Sequence, residues 1–284
     1  MKVRDTLLGV AVAVTAATAA AQGMPTSWVQ PADPFHLADN LYYVGSSGLS
    51  SWLITTPEGH ILIDAPMAQN VDLIEGNIRK LGFRIEDVKV LLASHAHFDH
   101  VAGLARIKAD TGAMLAASDG DREALEKGIY PGSEDVAYLR FDPVKVDRVL
   151  RDGDTVSLGG VTLTAHVTPG HSPGCTTWTF PLKVDGQVRQ ALYYCSTTVA
   201  ANRLAPRPQY PGIVADYRAS LARLGAMKAD VFLAPHNEQF DLDAKRAELK
   251  SGKPNPFVDP TELGRTVAAQ KAAFEKACAK QGCP

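Results

Sequence analysis

The chain has no internal repeat, no low-complexity tract and no clear linker, which leaves a compact fold rather than a solenoid or a string of modules. Charge of one sign is missing too. Lys plus Arg number 29 against 31 Asp plus Glu, a formal net charge of −2, so no electrostatic footprint points to nucleic acid or an anionic membrane as partner. Cysteine is scarce, with four in 284 residues, too few for a disulfide-built scaffold. The apolar run from Leu7 to Ala21 falls short of the roughly 20 residues that span a bilayer. Met1-Lys2-Val3-Arg4 precedes it as a basic segment, and Ala17-Thr18-Ala19 and Ala19-Ala20-Ala21 are small-x-small sites. These features read as a secretory signal over 1–21, followed by a single domain over 22–284. The expected location is the periplasm or the medium, with no membrane attachment after cleavage, and the expected state is a monomer.

Export changes how Cys175, Cys195, Cys278 and Cys283 are read, because disulfides persist outside the cytoplasm. Four cysteines allow three pairings. A local Cys278–Cys283 bridge at the end of a helix would leave Cys175 to pair with Cys195; free buried thiols are the alternative.

Strands and helices alternate along the chain. Leu41–Val44, Ser51–Thr55, His60–Asp64, Val88–Ser94 and Met114–Ala117 read as strands, and Val71–Leu81, Val101–Asp110 and Asp121–Lys127 as helices, the last capped by Ser118 or Asp119. The segment 128–145 reads as a loop. Gly159-Gly160 and Asp185-Gly186 mark two hairpins, Thr155–Leu158 with Val161–His166 and Thr176–Phe180 with Arg189–Tyr194. Helices over Pro211–Lys228, Asp241–Ser251 and Thr261–Lys280 surround a strand at Val231–Ala234. This order suits an α/β fold with a two-sheet core and helices outside.

What is present in unusual density is imidazole. His95-Ala96-His97-Phe98-Asp99-His100 places three histidines and a carboxylate in six positions directly after an apolar strand. These are the ligands zinc takes where no thiolate is offered. His95 and His97 alternate and point the same way; Asp99 and His100 lie beyond the turn and can face a second ion. His171, in the Gly/Pro-rich loop Thr168–Gly174, and His236, just past Leu233-Ala234-Pro235, add two more donors at strand ends. His36 and His60 read as surface or loop residues and His166 as a structural histidine inside a strand. A single ion would leave Asp99 as a general base, but five histidines and one aspartate suffice for two. A zinc pair can acidify a water, polarise a carbonyl and stabilise a leaving group without a side-chain nucleophile.

The motif His95-x-His97-x-Asp99-His100, the loop Gly170-His171-Ser172-Pro173-Gly174 and the late His236 resemble the metallo-β-lactamase superfamily over about residues 37–280. That resemblance implies an αββα sandwich of two mixed sheets with outer helices. Superfamily members such as glyoxalase II and lactonases place a metal-bridging aspartate at a strand end where this chain has Tyr193-Tyr194-Cys195-Ser196-Thr197-Thr198. With no aspartate there and His100 present, the chain resembles subclass B3 of the β-lactamases. In another subclass a cysteine near position 195 is a ligand, a role that a Cys175–Cys195 disulfide would remove.

The B3 resemblance implies two Zn²⁺ ions, one on His95, His97 and His171 and one on Asp99, His100 and His236. It implies attack of a metal-bound hydroxide on the β-lactam carbonyl of penicillins, cephalosporins and carbapenems. Catalysis would depend on Asp99 and His236 through the second ion, and Ser196 and Thr198 would bind the substrate carboxylate. Asn202, Arg203 and Arg207 read as a solvated loop, and Trp52 and Tyr193 as core. The alternative activity is hydrolysis of a thioester or lactone.

Overall fold

The computed structural model describes residues 23–252 and 254–284, and the signal segment expected over 1–21 lies outside them. Two sheets face each other. The first has seven strands in chain order: β1 (Phe35–Ala38), β2 (Leu41–Tyr43), β3 (Trp52–Thr56), β4 (Gly59–Ile63), β5 (Val88–Leu92), β6 (Met114–Ser118) and β7 (Arg148–Leu150). Pairing is antiparallel from β1 to β4 and parallel from β4 to β7. The second sheet has the order β12-β11-β10-β9-β8, with β8 (Thr155–Leu158), β9 (Val161–Val167), β10 (Thr176–Val184), β11 (Gln187–Tyr193) and β12 (Val231–Leu233). It is antiparallel except for the β11–β12 pair.

The period-2 alternation of side chains decides which face each residue covers. In β3, β4 and β5, Trp52, Ile54, Ile61, Ile63, Val90 and Leu92 join the core between the sheets. Their neighbours Leu53, Leu62 and Leu91 point the other way, onto helices α1 (Val71–Lys80), α3 (Leu104–Thr111) and α4 (Asp119–Lys127), where Ile74, Ile78, Ile107 and Leu125 meet them. On the far side, α5 (Ile213–Ala226) and α7 (Glu262–Gln281) pack on the second sheet through Tyr217, Leu221, Leu224 and Phe274. The result is the expected αββα sandwich, completed by α6 (Leu242–Leu249). Among the described residues, no helix is long and apolar enough to cross a membrane.

Four features depart from the sequence reading. The hairpin at Asp185-Gly186 is longer than expected: β10 runs on through the exposed Pro181 to Val184, and Asp185 and Gly186 take φ of 49° and 78°, the left-handed conformation of a two-residue turn. The helix expected over Val101–Asp110 is two pieces. α2 (Phe98–Val101) ends at Ala102-Gly103, so Asp99 and His100 sit on a short helix rather than in a loop. Ser118 does not cap α4 with its side chain; its hydroxyl donates to the Gly174 carbonyl. His60 is not on the surface but 8% exposed inside β4, edge-on to Phe83.

Candidate metal centre

The loops that follow β5, β9 and β12 open at one edge of the sandwich and bring the expected donors together. Two groups of ligand atoms form there, each within 4.8 Å: His95, His97 and His171, and Asp99, His100 and His236. The two groups touch, since the His95 and His100 rings lie 4.3 Å apart; within the second group the His100 and His236 rings are 4.8 Å apart. Asp99 Oδ2 stands 3.3 Å from His100 Nε2 and 3.5 Å from His236 Nε2.

Hydrogen bonds behind the rings fix which nitrogen faces the centre. Asp64, fully buried, accepts from the Ser94 hydroxyl and from Tyr193, both at 2.7 Å. With its proton committed to Asp64, the Ser94 oxygen accepts from His95 Nδ1 at 3.0 Å, which leaves Nε2 bare. His171 Nδ1 donates to the Thr198 carbonyl at 2.7 Å, which frees Nε2 in the same way. His95 Nε2 and both ring nitrogens of His100 are buried without a hydrogen-bond partner. Such orphaned groups are costly unless something else satisfies them. Five clustered imidazoles with open nitrogens and one carboxylate fit metal cations, and imidazole with carboxylate is a donor set that zinc accepts.

The electrostatics agree. Burial, reinforced by the other imidazoles, holds His95 and His97 far below the usual histidine range. Burial lowers His171 to about 4 and His236 to about 3. Burial would raise Asp99, but His100 and His236 outweigh it and keep the carboxyl ionised. His100 alone moves upward, because Asp99 and Asp64 overcome its desolvation. Rings kept neutral are rings ready to coordinate. The sign for stability follows. Below about pH 6.5 the unfolded chain takes up protons that folded His171 refuses until about 4 and folded His236 until about 3. The metal-free protein is therefore expected to lose stability steadily as pH falls from about 6.5 to about 4. Urea midpoints of EDTA-treated protein across that window test this, and a flat profile contradicts it.

Other residues complete the frame, and no local sequence pattern marks them. Tyr130, from the 128–145 segment, stacks on His97 with centroids 4.0 Å apart and planes at 12°. Its hydroxyl donates to Asn202 Oδ1, whose amide group donates at 2.9 Å to the His171 carbonyl. Asn202 is thus buried in the frame rather than solvated, while Arg203 and Arg207 are exposed as expected. Tyr217 donates at 2.8 Å to the Thr198 carbonyl, so one network grips both ends of the His171–Thr198 contact. Trp28 lies 5.5 Å from the His236 ring and 6.3 Å from Phe98, a wall over the second donor group. His166 is structural, bonded to Thr179 at 2.8 Å and to Arg223 at 3.2 Å. Trp52 and Tyr193 lie in the core.

The strand end after β11 carries no carboxylate. Ser196 and Thr198 stand there instead, their hydroxyl oxygens 3.1 Å apart, and Thr198 Oγ1 is 3.3 Å from His171 Nδ1. Cys195 is joined to Cys175 with Cα atoms 5.8 Å apart, and Cys278 to Cys283. Both are the pairs expected, and the first removes Cys195 as a thiolate ligand.

A family profile described as the metallo-beta-lactamase superfamily matches residues 47–236. Among solved structures, the chain is similar to BJP-1, a subclass B3 metallo-beta-lactamase of Bradyrhizobium japonicum. Identity is 50%, coverage 90% of this chain and 97% of that one, and the TM-score 0.88. It is similar also to FEZ-1 metallo-beta-lactamase from Legionella gormanii, at 42% identity, 90% and 98% coverage and a TM-score of 0.86. A curated relative, hydroxyacylglutathione hydrolase of Methylobacterium nodulans, is 27% identical over 67% of this chain and 69% of its own. The matched span runs from ahead of β3 to the last histidine of the centre, and the sandwich agrees with the solved relatives: this chain belongs to the metallo-β-lactamase superfamily.

Proposed function

We propose that the protein is a dinuclear zinc β-lactamase of the B3 kind, acting on penicillins, cephalosporins and carbapenems. The observation that carries this reading is the strand end after β11, where Ser196 and Thr198 bring hydroxyls to the donor cluster in place of a carboxylate. The similarity to metallo-beta-lactamases at 42–50% identity over nine-tenths of the chain, BJP-1 of subclass B3 among them, supports it. In this reading His95, His97 and His171 hold one zinc and Asp99, His100 and His236 the other. The ions, when bound, lower the pKa of a water, polarise the lactam carbonyl and take charge from the departing nitrogen.

The chain's own groups do the positioning. Ser94 and the Thr198 carbonyl hold the rings of His95 and His171 with Nε2 inward. Asp99 stays ionised and brings the one negative charge of the donor set. Trp28, packed against Phe98, walls one side of His236. The Thr198 N–H donates to Ser196 Oγ at 3.2 Å and Thr198 Oγ1 lies 3.1 Å from the same oxygen, so the Ser196 hydroxyl is held in place and its proton turns to an incoming carboxylate. Ser196→Ala is expected to lower kcat/KM on a carboxylate-bearing lactam about tenfold, mostly through KM, in line with loss of one hydrogen bond to a charged group. A substrate whose carboxylate is esterified should lose far less; equal losses on both would remove Ser196 from carboxylate binding.

The direct test follows ring opening by absorbance with purified protein from residue 22 onward and zinc, with and without EDTA. Rapid hydrolysis abolished by EDTA is expected. A protein that holds two zincs and leaves lactams intact refutes the reading. Turnover of a thioester or lactone by that protein would favour the second reading, which the hydroxyacylglutathione hydrolase relative supports. We place the protein outside the cytoplasm on the leader pattern of residues 1–21.

A further inference from the structure

Behind the first donor group lies a second set of ligand atoms that shares one member with it. The Sγ atoms of Cys175 and Cys195 and a ring nitrogen of His95 all lie within 4.8 Å of one another. All three residues are buried, at 0%, 0% and 1% exposure. Cys175 immediately precedes β10 and Cys195 lies two residues past β11. The β10–β11 ladder runs unbroken from Trp178↔Tyr193 to Val184↔Gln187, so it keeps the two sulfurs adjacent whether or not they are bonded. Carbonyl oxygens flank them: Ser196 O is 3.4 Å from Cys175 Sγ and Ser94 O is 3.2 Å from Cys195 Sγ.

Two thiolates and an imidazole outcompete imidazoles alone for soft and borderline metals. Metal–sulfur bonds of about 2.3 Å and metal–nitrogen bonds of about 2.0 Å place such donors within about 4 Å of one another, so once the bridge opens the two sulfurs part from bonding distance to that spacing with the His95 ring nitrogen already in reach. We propose that the dithiol form of this chain binds a thiophilic metal ion at Cys175, Cys195 and His95, and that the disulfide closes this site so that His95 serves the His97–His171 group instead. Opening the bridge takes two electrons and two protons: a dithiol in a cell gives both and becomes a disulfide, whereas a phosphine in vitro gives the electrons and becomes a phosphine oxide, with water supplying the oxygen and the two protons. Metal binding then releases both thiol protons to solvent as two metal–sulfur bonds form. A newly made chain already holds the thiols, so oxidation would have to precede correct metal loading.

The test refolds the chain from residue 22 with cobalt(II), either oxidised or with a phosphine reductant, and records thiolate-to-cobalt charge-transfer absorption. This readout needs no turnover and so stands apart from the lactamase reading. The reduced protein should show the band and the oxidised protein should lack it. Cys278→Ser/Cys283→Ser should keep the band on reduction, Cys175→Ser/Cys195→Ser should lose it, and His95→Ala should shift its half-saturation to higher cobalt. No band in reduced wild type, a band that survives in Cys175→Ser/Cys195→Ser, or an unchanged half-saturation in His95→Ala would each overturn the proposal. So would a reduced chain that fails to regain native far-ultraviolet circular dichroism, since the site needs β10 and β11 in register.

Discussion

Asp99→Asn is expected to cut kcat/KM on a β-lactam by on the order of 100- to 1000-fold, the usual cost of removing one preorganised electrostatic group from a reacting centre. It is also expected to bring bound zinc from two ions per chain to one. The reason lies in the charge balance. Asp99 is the one carboxylate of the two donor groups, and it faces His100 at 3.3 Å and His236 at 3.5 Å. An amide at that position keeps the shape but loses the negative charge that offsets a divalent cation. The first donor group, His95, His97 and His171, lacks Asp99 and should keep its ion. His236→Ala should match Asp99→Asn in direction, because it strips the same ion of a ligand. Metal analysis and single-turnover hydrolysis check both. A variant with two zincs and full activity would break the assignment of Asp99, His100 and His236 to one ion.

The donor cluster is legible in the sequence because each member sits in a local pattern: a dense imidazole motif, a Gly/Pro loop, or a histidine just past a short apolar strand. The strands were legible for a related reason. Ile61, Leu62 and Ile63, or Val90, Leu91 and Leu92, form apolar runs that only strands buried on both faces need. β7 leaves no signal in the sequence because it is three residues at a sheet edge with two of them exposed, too short for an alternation. His60 reads as a surface residue because a lone polar residue in a buried strand resembles a strand end, and the Phe83 ring that covers it comes 23 positions later. Asn202 and Tyr130 show the same limit. They are 72 residues apart in sequence and each looks like loop, yet they meet over the His171 segment. Frames built from distant partners leave no mark at any one position.

Asp121 is the strongest instance, and replacing it should be the most damaging change outside the donor set. It is 2% exposed on α4 and touches neither donor group directly. Its Oδ2 accepts from the Ala96 N–H and the Ser172 hydroxyl, and its Oδ1 accepts from the Gly174 N–H, all at 2.8 Å. One carboxylate therefore ties the segment between His95 and His97 to the loop that carries His171. Gly174 belongs to the same joint, since a Cβ there would run into Ser118 Oγ and the Asp121 backbone nitrogen. Asp121→Ala leaves two N–H groups and a hydroxyl buried without an acceptor, at about 1–3 kcal/mol each. Partial relaxation of the loops reduces the sum, so a loss of roughly 3–5 kcal/mol is expected, which lowers Tm by about 10 °C or more. Asp121→Asn should recover little, because three donors converge on two oxygens and the amide turns one of those oxygens into a further donor. The loss should be uneven across the centre. Affinity for the ion held by His95, His97 and His171 should fall about 10- to 100-fold, the range for removing a group that orients metal ligands. Affinity at Asp99, His100 and His236 should change little, since Asp121 contacts neither their segment nor the β12 loop. Competition of a chelator for each ion in turn separates the two sites. A uniform loss of both ions, in step with unfolding, would mean that Asp121 holds the fold alone and does not set the geometry of the first ligand group.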